Sequence, residues 1–530
     1  MLFRAVLLAS AIAFAAPAFA QPKTTLNLGM AAQDIGQLDP HFAVSTIDRV
    51  PAALMFNGLV RFPPGSIDPA KLEPDLAESW EATEDGKTWT FHLRHGVQFH
   101  GGFGELTADD VVFSLKKAGD AKTSAFASEL RPFQTIEAVD PYTVRLVLKE
   151  NVPSVLGILT NYAQGFIVSK KAVEQRGDDF KRNPIGTGPF AFASVTPNQS
   201  LELAANDAYF RGAPKIKKIS YRFIPSDASR DLAFQSGELD VNYGRADQAW
   251  VNRTKAEPHT IVDVFAPAEL AELHLNVTVK PLDDIRIRQA IAYAINRPEL
   301  VRWRGADVSR EGQGVIPRGY LGFTTNTDLP QNDIAKAKAL LKEAGYPDGL
   351  TIKTIQTQLP EMFTAAQVFQ AQLKRAGINL DMQVVEHATF HQQIRQDLSP
   401  IVYYSAARFP VADVYLTQFF HSRSIVKTPS AVTNFSHCDV ADKEIDAARG
   451  ETDKAKQLAL WAEAQKKIVA KVCAVPMFET LQVYARHDNL DYGYKLEGSM
   501  SLGPMITEAT HFKRCPTSPW PSPPLGAERE

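Results

Sequence analysis

Between positions 88 and 94 apolar and polar side chains alternate, Trp89, Phe91 and Leu93 against Thr90, His92 and Arg94, which is the period of a strand with one buried face. Gly101 and Gly102 then mark a loop. Thr107, followed by Asp109 and Asp110, predicts a helix start, because a cap oxygen and first-turn acids suit the unpaired N–H groups and the helix dipole. Three longer stretches repeat at helical spacing. From Asp283 or Asp284, the residues Ile287, Ala290, Ile291, Ala294 and Ile295 share a face, and Asn296-Arg297-Pro298 ends the run. From about Asp333 the apolar face is Ile334, Ala337, Leu340, Leu341 and Ala344, closed by Gly345 with Pro347 beyond. Over 454–469 the stripe is Leu458, Trp461, Ala462, Gln465, Ile468 and Val469. Strands are predicted at 24–28, 143–148, 201–204, 217–223 and 351–355. The two periods mix along the whole chain, which predicts α/β lobes rather than a repeat array or a coiled coil.

The first twenty residues break this pattern. Arg4 precedes an apolar run over 5–16, and the segment closes on Ala18-Phe19-Ala20, the layout of a secretory signal peptide with cleavage after Ala20. That run is short for a membrane span, and no later run reaches the length one needs, so the mature chain is expected to be periplasmic and not integral to the membrane. The tail from Cys515, at 515–530, is rich in proline and serine and is expected to be disordered. With 530 residues the chain exceeds a single core, and two or three domains are expected. Its 57 basic and 60 acidic residues give no basic excess for nucleic acid.

Three cysteines, Cys438, Cys473 and Cys515, sit in a chain bound for a compartment that permits disulfides. A Cys438–Cys473 pair and three free thiols both fit the spacing. No CxxC is present. His92, His95 and His100, and the HATFH pair His387 and His391, superficially resemble metal-ligand spacing. His92 and His95 point to opposite strand faces, and HATFH lacks the glutamate of a metalloprotease helix, so no metal and no cofactor are expected. The chain has no GxSxG elbow and no P-loop; GTGPF at 186–190 has the glycines of a phosphate loop without a following Lys-Ser or Lys-Thr. An enzyme is therefore not expected.

Several motifs occur in a fixed order: LDP at 38–40, FNGLV at 56–60, PDLAESWEATEDGKTW at 74–89, NPIGTGPF at 183–190, NDAYFRGAPKI from Asn206, SGELDV from Ser236, DDIRIRQAIAYAINR from Asp283 and AKALLKEAGYPDG from Ala337. Together with the 88–115 stretch they resemble the signature of the peptide- and nickel-type solute-binding proteins of ABC importers, family 5, over nearly all of the mature chain. The resemblance implies a two-lobed periplasmic-binding-protein-like α/β fold of class II with an extra domain inserted in the first lobe. Domain I is expected at 21–58, 187–275 and 488–514, the inserted domain II at 59–186, and domain III, the opposing lobe, at 276–487. Two crossings, near Leu275 and His487, would act as a hinge. The implied role is a monomeric subunit that captures a small solute, by default a peptide, and hands it to the transmembrane permease subunits. A sensing or chaperone component with the same closing lobes fits as well.

Closure requires contacts from both lobes, since only differential affinity for the closed form shifts the equilibrium. The resemblance implies a cleft border after LDP, including Val44 and Thr46, and another after SGELD, with Tyr243 and Arg245. The opposing lobe would supply His274 and the segment 402–413, with Tyr403 and Tyr404. Peptide-binding members carry an aspartate in that segment for the peptide's amino group; aligning Tyr415, Leu416 and Phe419 puts Arg408 there instead. A guanidinium accepts no hydrogen bond and repels an ammonium. Asp413 is the nearest acid and takes the role if the alignment shifts by a few residues. Should Arg245, Arg408 and a protonated His274 converge, the cleft would suit an organic anion, opine-like or sugar-conjugated, gripped by charge-assisted bonds.

Overall fold

The computed structural model describes residues 23–152, 154–160, 162–427 and 433–513. The expected leader and the 515–530 tail, with Cys515, lie outside the described residues. The alternating stretch at 88–94 forms the strand Thr88–Leu93 with Phe91 and Leu93 buried. It joins an antiparallel four-stranded sheet ordered Ala77–Ala82, Thr88–Leu93, Thr143–Leu148, Phe133–Asp140. The helix Ala108–Ala118 begins as predicted. The Asp110 carboxylate accepts from the Thr107 backbone N–H at 3.1 Å and from its hydroxyl at 3.3 Å, tying down the first turn.

Among the described residues the largest sheet has nine strands. Its main path runs Ile401–Ala406, Thr260–Leu275, Ala474–His487, Val241–Tyr243, Thr25–Met30, Lys218–Phe223, Ser200–Ala205, Phe190–Thr196, and Ser309–Glu311 also pairs with Ala474–His487. Thr25–Met30 is parallel to both its neighbours, while the two long strands Thr260–Leu275 and Ala474–His487 are antiparallel. The two long strands end at Leu275 and His487, the positions where the crossings between lobes are expected. Within the pair the ladder slips between Phe265/Gln482 and Glu269/Thr480, a bulge at which Gln482 Nε2 donates to the Pro267 carbonyl at 3.2 Å. A carbonyl lost from the ladder thus regains a partner.

The helical readings translate into caps. Asp284, Asp333 and Asp453 accept backbone N–H groups at the starts of Ile285–Ala294, Ile334–Glu343 and Lys454–Lys471. The Asn296-Arg297-Pro298 stop has a second use: the Asn296 side chain accepts from the Glu299 N–H and opens the helix Arg297–Arg304, with Pro298 where no N–H is needed. After Lys454–Lys471 the chain turns at Val472, and Cys473 is disulfide-bonded to Cys438, 35 residues earlier. Closing a loop of that length is worth about 2–4 kcal/mol. Separate apolar clusters gather around Leu28 and Phe91, around Tyr415 and Trp461, and around Ile291 and Phe369. No helix among the described residues is long and apolar enough to cross a membrane.

Candidate functional site

A cavity of about 130 Å³ lies where residues 44–164 face residues 395–433. On the first wall Val44 precedes the helix Thr46–Met55, whose second turn brings in Arg49. The Arg49 guanidinium lies over the Tyr162 ring, 5.3 Å from its centre, so charge and aromatic face enter the cavity together. Glu129 stands on the same wall. The opposite wall takes Arg395 from the end of His387–Arg395, Tyr404 from Ile401–Ala406, Arg408 and Phe409 from the loop that follows, and Gln418 from the helix Ala412–Phe420. Gly157 lets the walls approach: a Cβ there would stand 2.3 Å from the Phe409 ring.

Arg408 is held by neutral groups. Its Nε donates to Gln418 Oε1 at 2.6 Å, Nη1 donates to its neighbour's carbonyl, Ala407 O, at 2.9 Å, and the Tyr404 hydroxyl also bonds to it. The Phe419 ring lies beneath the guanidinium at 5.1 Å. Tyr320 pins the backbone, its hydroxyl donating to the Arg408 carbonyl at 2.7 Å and accepting the Arg408 N–H at 2.8 Å. Among the described residues the cavity lining carries three arginines, Arg49, Arg395 and Arg408, against one carboxylate, Glu129. Burial pushes the Glu129 carboxyl above its ordinary range, opposed by the Gln418 amide that donates to it and by the charge of Arg408.

Asp413, the alternative acid, is occupied. Arg449 reaches it with Nη2 at 3.2 Å from Oδ1 and Nε at 3.4 Å from Oδ2. Both side chains are about 5% exposed, and Asp413 is not among the cavity-lining residues. The pair is a buried strut of the wall.

The structure separates the remaining sequence candidates. Val44, Tyr404 and Arg408 line the cavity. Thr46 is the first residue of its helix and is not in the lining. The expected placement of Tyr403 and His274 at the cleft is corrected. Residues adjacent in a strand face opposite ways, so with Tyr404 toward the cavity Tyr403 is buried edge-on against Phe369 at 5.2 Å. His274, 1% exposed, is enclosed by Phe419, Phe420 and Phe435, and burial lowers its pKa to about 3. It brings no positive charge near neutral pH. Arg245 bonds to Asp227 at 3.4 Å, and neither it nor His274 is among the cavity-lining residues. Tyr243 packs edge-on against Tyr484 at 5.1 Å, and burial lifts its hydroxyl well above the usual range. Glu269, raised to about 7 by burial, feels the charges of Arg49, Glu361, Arg408 and Arg304, and so joins the electrostatics of the cavity to those of this neighbouring group.

Arg49, Glu129, Tyr162, Arg395 and Gln418 carried no local sequence signal. They come from segments far apart in the chain, and only tertiary packing brings them to one cavity. The histidines take ordinary partners: His92 lies 3.2 Å from Glu81, His95 packs on Tyr142, and His100 Nε2 meets the Gly188 carbonyl at 2.9 Å. His387 and His391 face one another with Nε2 atoms 3.2 Å apart.

The family described as bacterial extracellular solute-binding proteins, family 5 Middle, matches residues 71–426. The Di/tripeptide-binding protein 2 of Pseudomonas aeruginosa is 30% identical over 517 residues, covering 92% of this chain and 95% of that protein. Among solved structures, MoaA from A. tumefaciens R10 in complex with mannopinic acid is 52% identical with a TM-score of 0.88, covering 93% of this chain and all of that one. DppA from Helicobacter pylori in complex with the peptide STSA is 25% identical with a TM-score of 0.83, covering 93% of this chain and 98% of that one.

Proposed function

Because the chain belongs to family 5 of the bacterial extracellular solute-binding proteins, we propose that it captures an anionic solute, an opine-like or sugar-conjugated acid, and delivers it to the inner-membrane permease subunits of an ABC importer. One observation carries the choice of solute: Arg408 faces the cavity with neutral hydrogen-bond partners, while the acid that would have balanced it, Asp413, is committed to Arg449. A carboxylate arriving at Arg408 gains charge-assisted bonds without first breaking an ion pair. Arg49 and Arg395 add positive charge to the lining, and Tyr162 and Tyr404 offer faces and hydroxyls to a polar body. The mannopinic acid bound by the 52% identical MoaA agrees with this class.

We assign the walls to lobes as the family resemblance implies, with 21–58, 187–275 and 488–514 forming the first lobe, 59–186 inserted into it, and 276–487 opposing it. The bulged pair of long strands is the proposed hinge. The protein works in the periplasm as a monomer, without cofactor or covalent chemistry. Peptide capture stands as the second reading, favoured by Glu129, which offers a carboxylate to an ammonium group from the other wall.

Calorimetry of the mature protein with mannopinic acid and with di- and tripeptides tests the choice. Mannopinic acid is expected to bind at least about a hundredfold more tightly than any peptide, a gap of about 2.7 kcal/mol. Tight peptide binding with no response to the acid would overturn it.

A further inference from the structure

Glu129 and Gln418 belong to opposite walls of the cavity, and they meet: Gln418 Nε2 donates to Glu129 Oε1. A guanidinium only donates hydrogen bonds, so Arg408 fixes which end of the Gln418 amide it meets. With the NH₂ end turned to Glu129, the carbonyl end is turned to Arg408, and Oε1 accepts from Arg408 Nε at 2.6 Å. The amide is thus a two-ended link with a set polarity. Reversed, it would offer N–H groups to a guanidinium that has no acceptor. The Gln418 backbone is anchored as well, its carbonyl accepting from the Thr433 hydroxyl at 2.6 Å. With Nε engaged, Nη1 on Ala407 O and Phe419 beneath, the plane of the Arg408 fork is defined.

We infer that Glu129 and Gln418 are positioning residues that couple lobe closure to anion capture: closing the walls completes the Glu129–Gln418–Arg408 chain, which sets the guanidinium in its solute-binding pose. The inference rests on the proposed role of Arg408 and on the assignment of the walls to two lobes. Parting the walls breaks the Glu129–Gln418 bond, frees the amide to rotate and leaves Arg408 unset. A solute held by Arg408 then favours the closed form through contacts it does not itself make. Another charged approach between these walls is looser, with Arg449 Nη1 4.0 Å from Glu150 Oε1.

Two readouts test this in the full-length mature protein: the closed population without solute, by single-pair fluorescence transfer between labels on the two lobes, and the dissociation rate of mannopinic acid by stopped flow. Glu129→Ala and Gln418→Ala are expected to reduce the closed population and to speed dissociation about tenfold or more, since weakened holding shows chiefly in the off-rate. Glu129→Gln keeps the shape and one acceptor oxygen and is expected to fall between them and the wild type, with an unchanged melting temperature. A merely structural role would lower the melting temperature and leave the off-rate of Glu129→Gln alone. Unchanged closed population and unchanged dissociation in both alanine variants would overturn the inference. If the wild type ignores mannopinic acid while Glu129→Ala still opens the solute-free protein, the coupling stands and the solute reading falls.

Discussion

Two guanidinium groups bracket the helix Ala412–Phe420, and their surroundings differ in one respect. Arg449 meets Asp413 through two nitrogens in a site closed to water, so its charge is cancelled on arrival. Arg408 meets an amide, a backbone carbonyl, a hydroxyl and a ring, all neutral, at the edge of a cavity. The same side chain is a structural strut in one place and a charge with no directly bonded carboxylate in the other. What distinguishes them is direct contact with a carboxylate, which Asp413 gives Arg449 and no hydrogen-bond partner gives Arg408, and this makes the contrast open to direct interference.

Removing that carboxylate should have the largest effect. Asp413→Ala leaves Arg449 buried with only the looser Asp446 and Glu150 carboxylates nearby, at 3.7 Å and 4.0 Å, and should lower stability by up to about 3–5 kcal/mol in urea unfolding, with solute affinity retained in protein that remains folded. Arg408→Asp should do the reverse. Its stability cost is expected to be smaller than that of Asp413→Ala, while calorimetry should find affinity for mannopinic acid reduced by at least about a hundredfold, because a repulsive charge now faces the anion. Equal damage to stability and binding in the two variants would erase the distinction between strut and site.

Smaller effects sharpen it. Tyr404→Ala removes a cavity face and a hydroxyl beside Arg408 and should weaken binding about tenfold, or roughly 1.4 kcal/mol. The smallest effect concerns pH. Glu269 holds its proton up to about pH 7 instead of 4.5, because burial outweighs the pull of Arg49; Glu361 acts in the same direction as burial, and Arg408 and Arg304 act with Arg49. The raised value means that the fold favours the neutral form, so this group's contribution to stability is full below pH 4.5 and declines as pH rises to about 7. The same step adds a negative charge near the arginines of the cavity. Anion affinity should therefore fall by roughly two- to fivefold between pH 6 and pH 8, within the range of a solvent-screened pair, and Glu269→Gln should flatten the profile. A steeper profile in that variant would place the titrating group elsewhere.

The fold was legible where it depends on neighbours in sequence. Alternation at 88–94 and the caps at Asp284, Asp333 and Asp453 translate directly into elements, because strand faces and helix starts are local matters. The ordered motifs carried the family. The site was legible in part. That Tyr403 and Tyr404 point opposite ways follows from the strand they share, but which one faces the cavity depends on packing against Phe369 and Phe435, far away in sequence. The fate of Asp413 was hidden for the same reason, since Arg449 lies on a different helix. Glu129 and Gln418 are nearly three hundred residues apart, and no spacing rule joins them.

The bulge in the long strand pair bears on how the molecule moves. Two adjacent straps, laddered to each other on both sides of Phe265 and Glu269, can fold about a line drawn across them. They resist twisting or sliding separately, since either motion would tear the ladder on one side or the other. As the proposed hinge, the pair would act as a door on a long leaf rather than a ball in a socket. Most of the orientational freedom that two independent bodies would forfeit on coming together would then be surrendered once, when the chain folds, and only one swing would remain to be stilled at each capture.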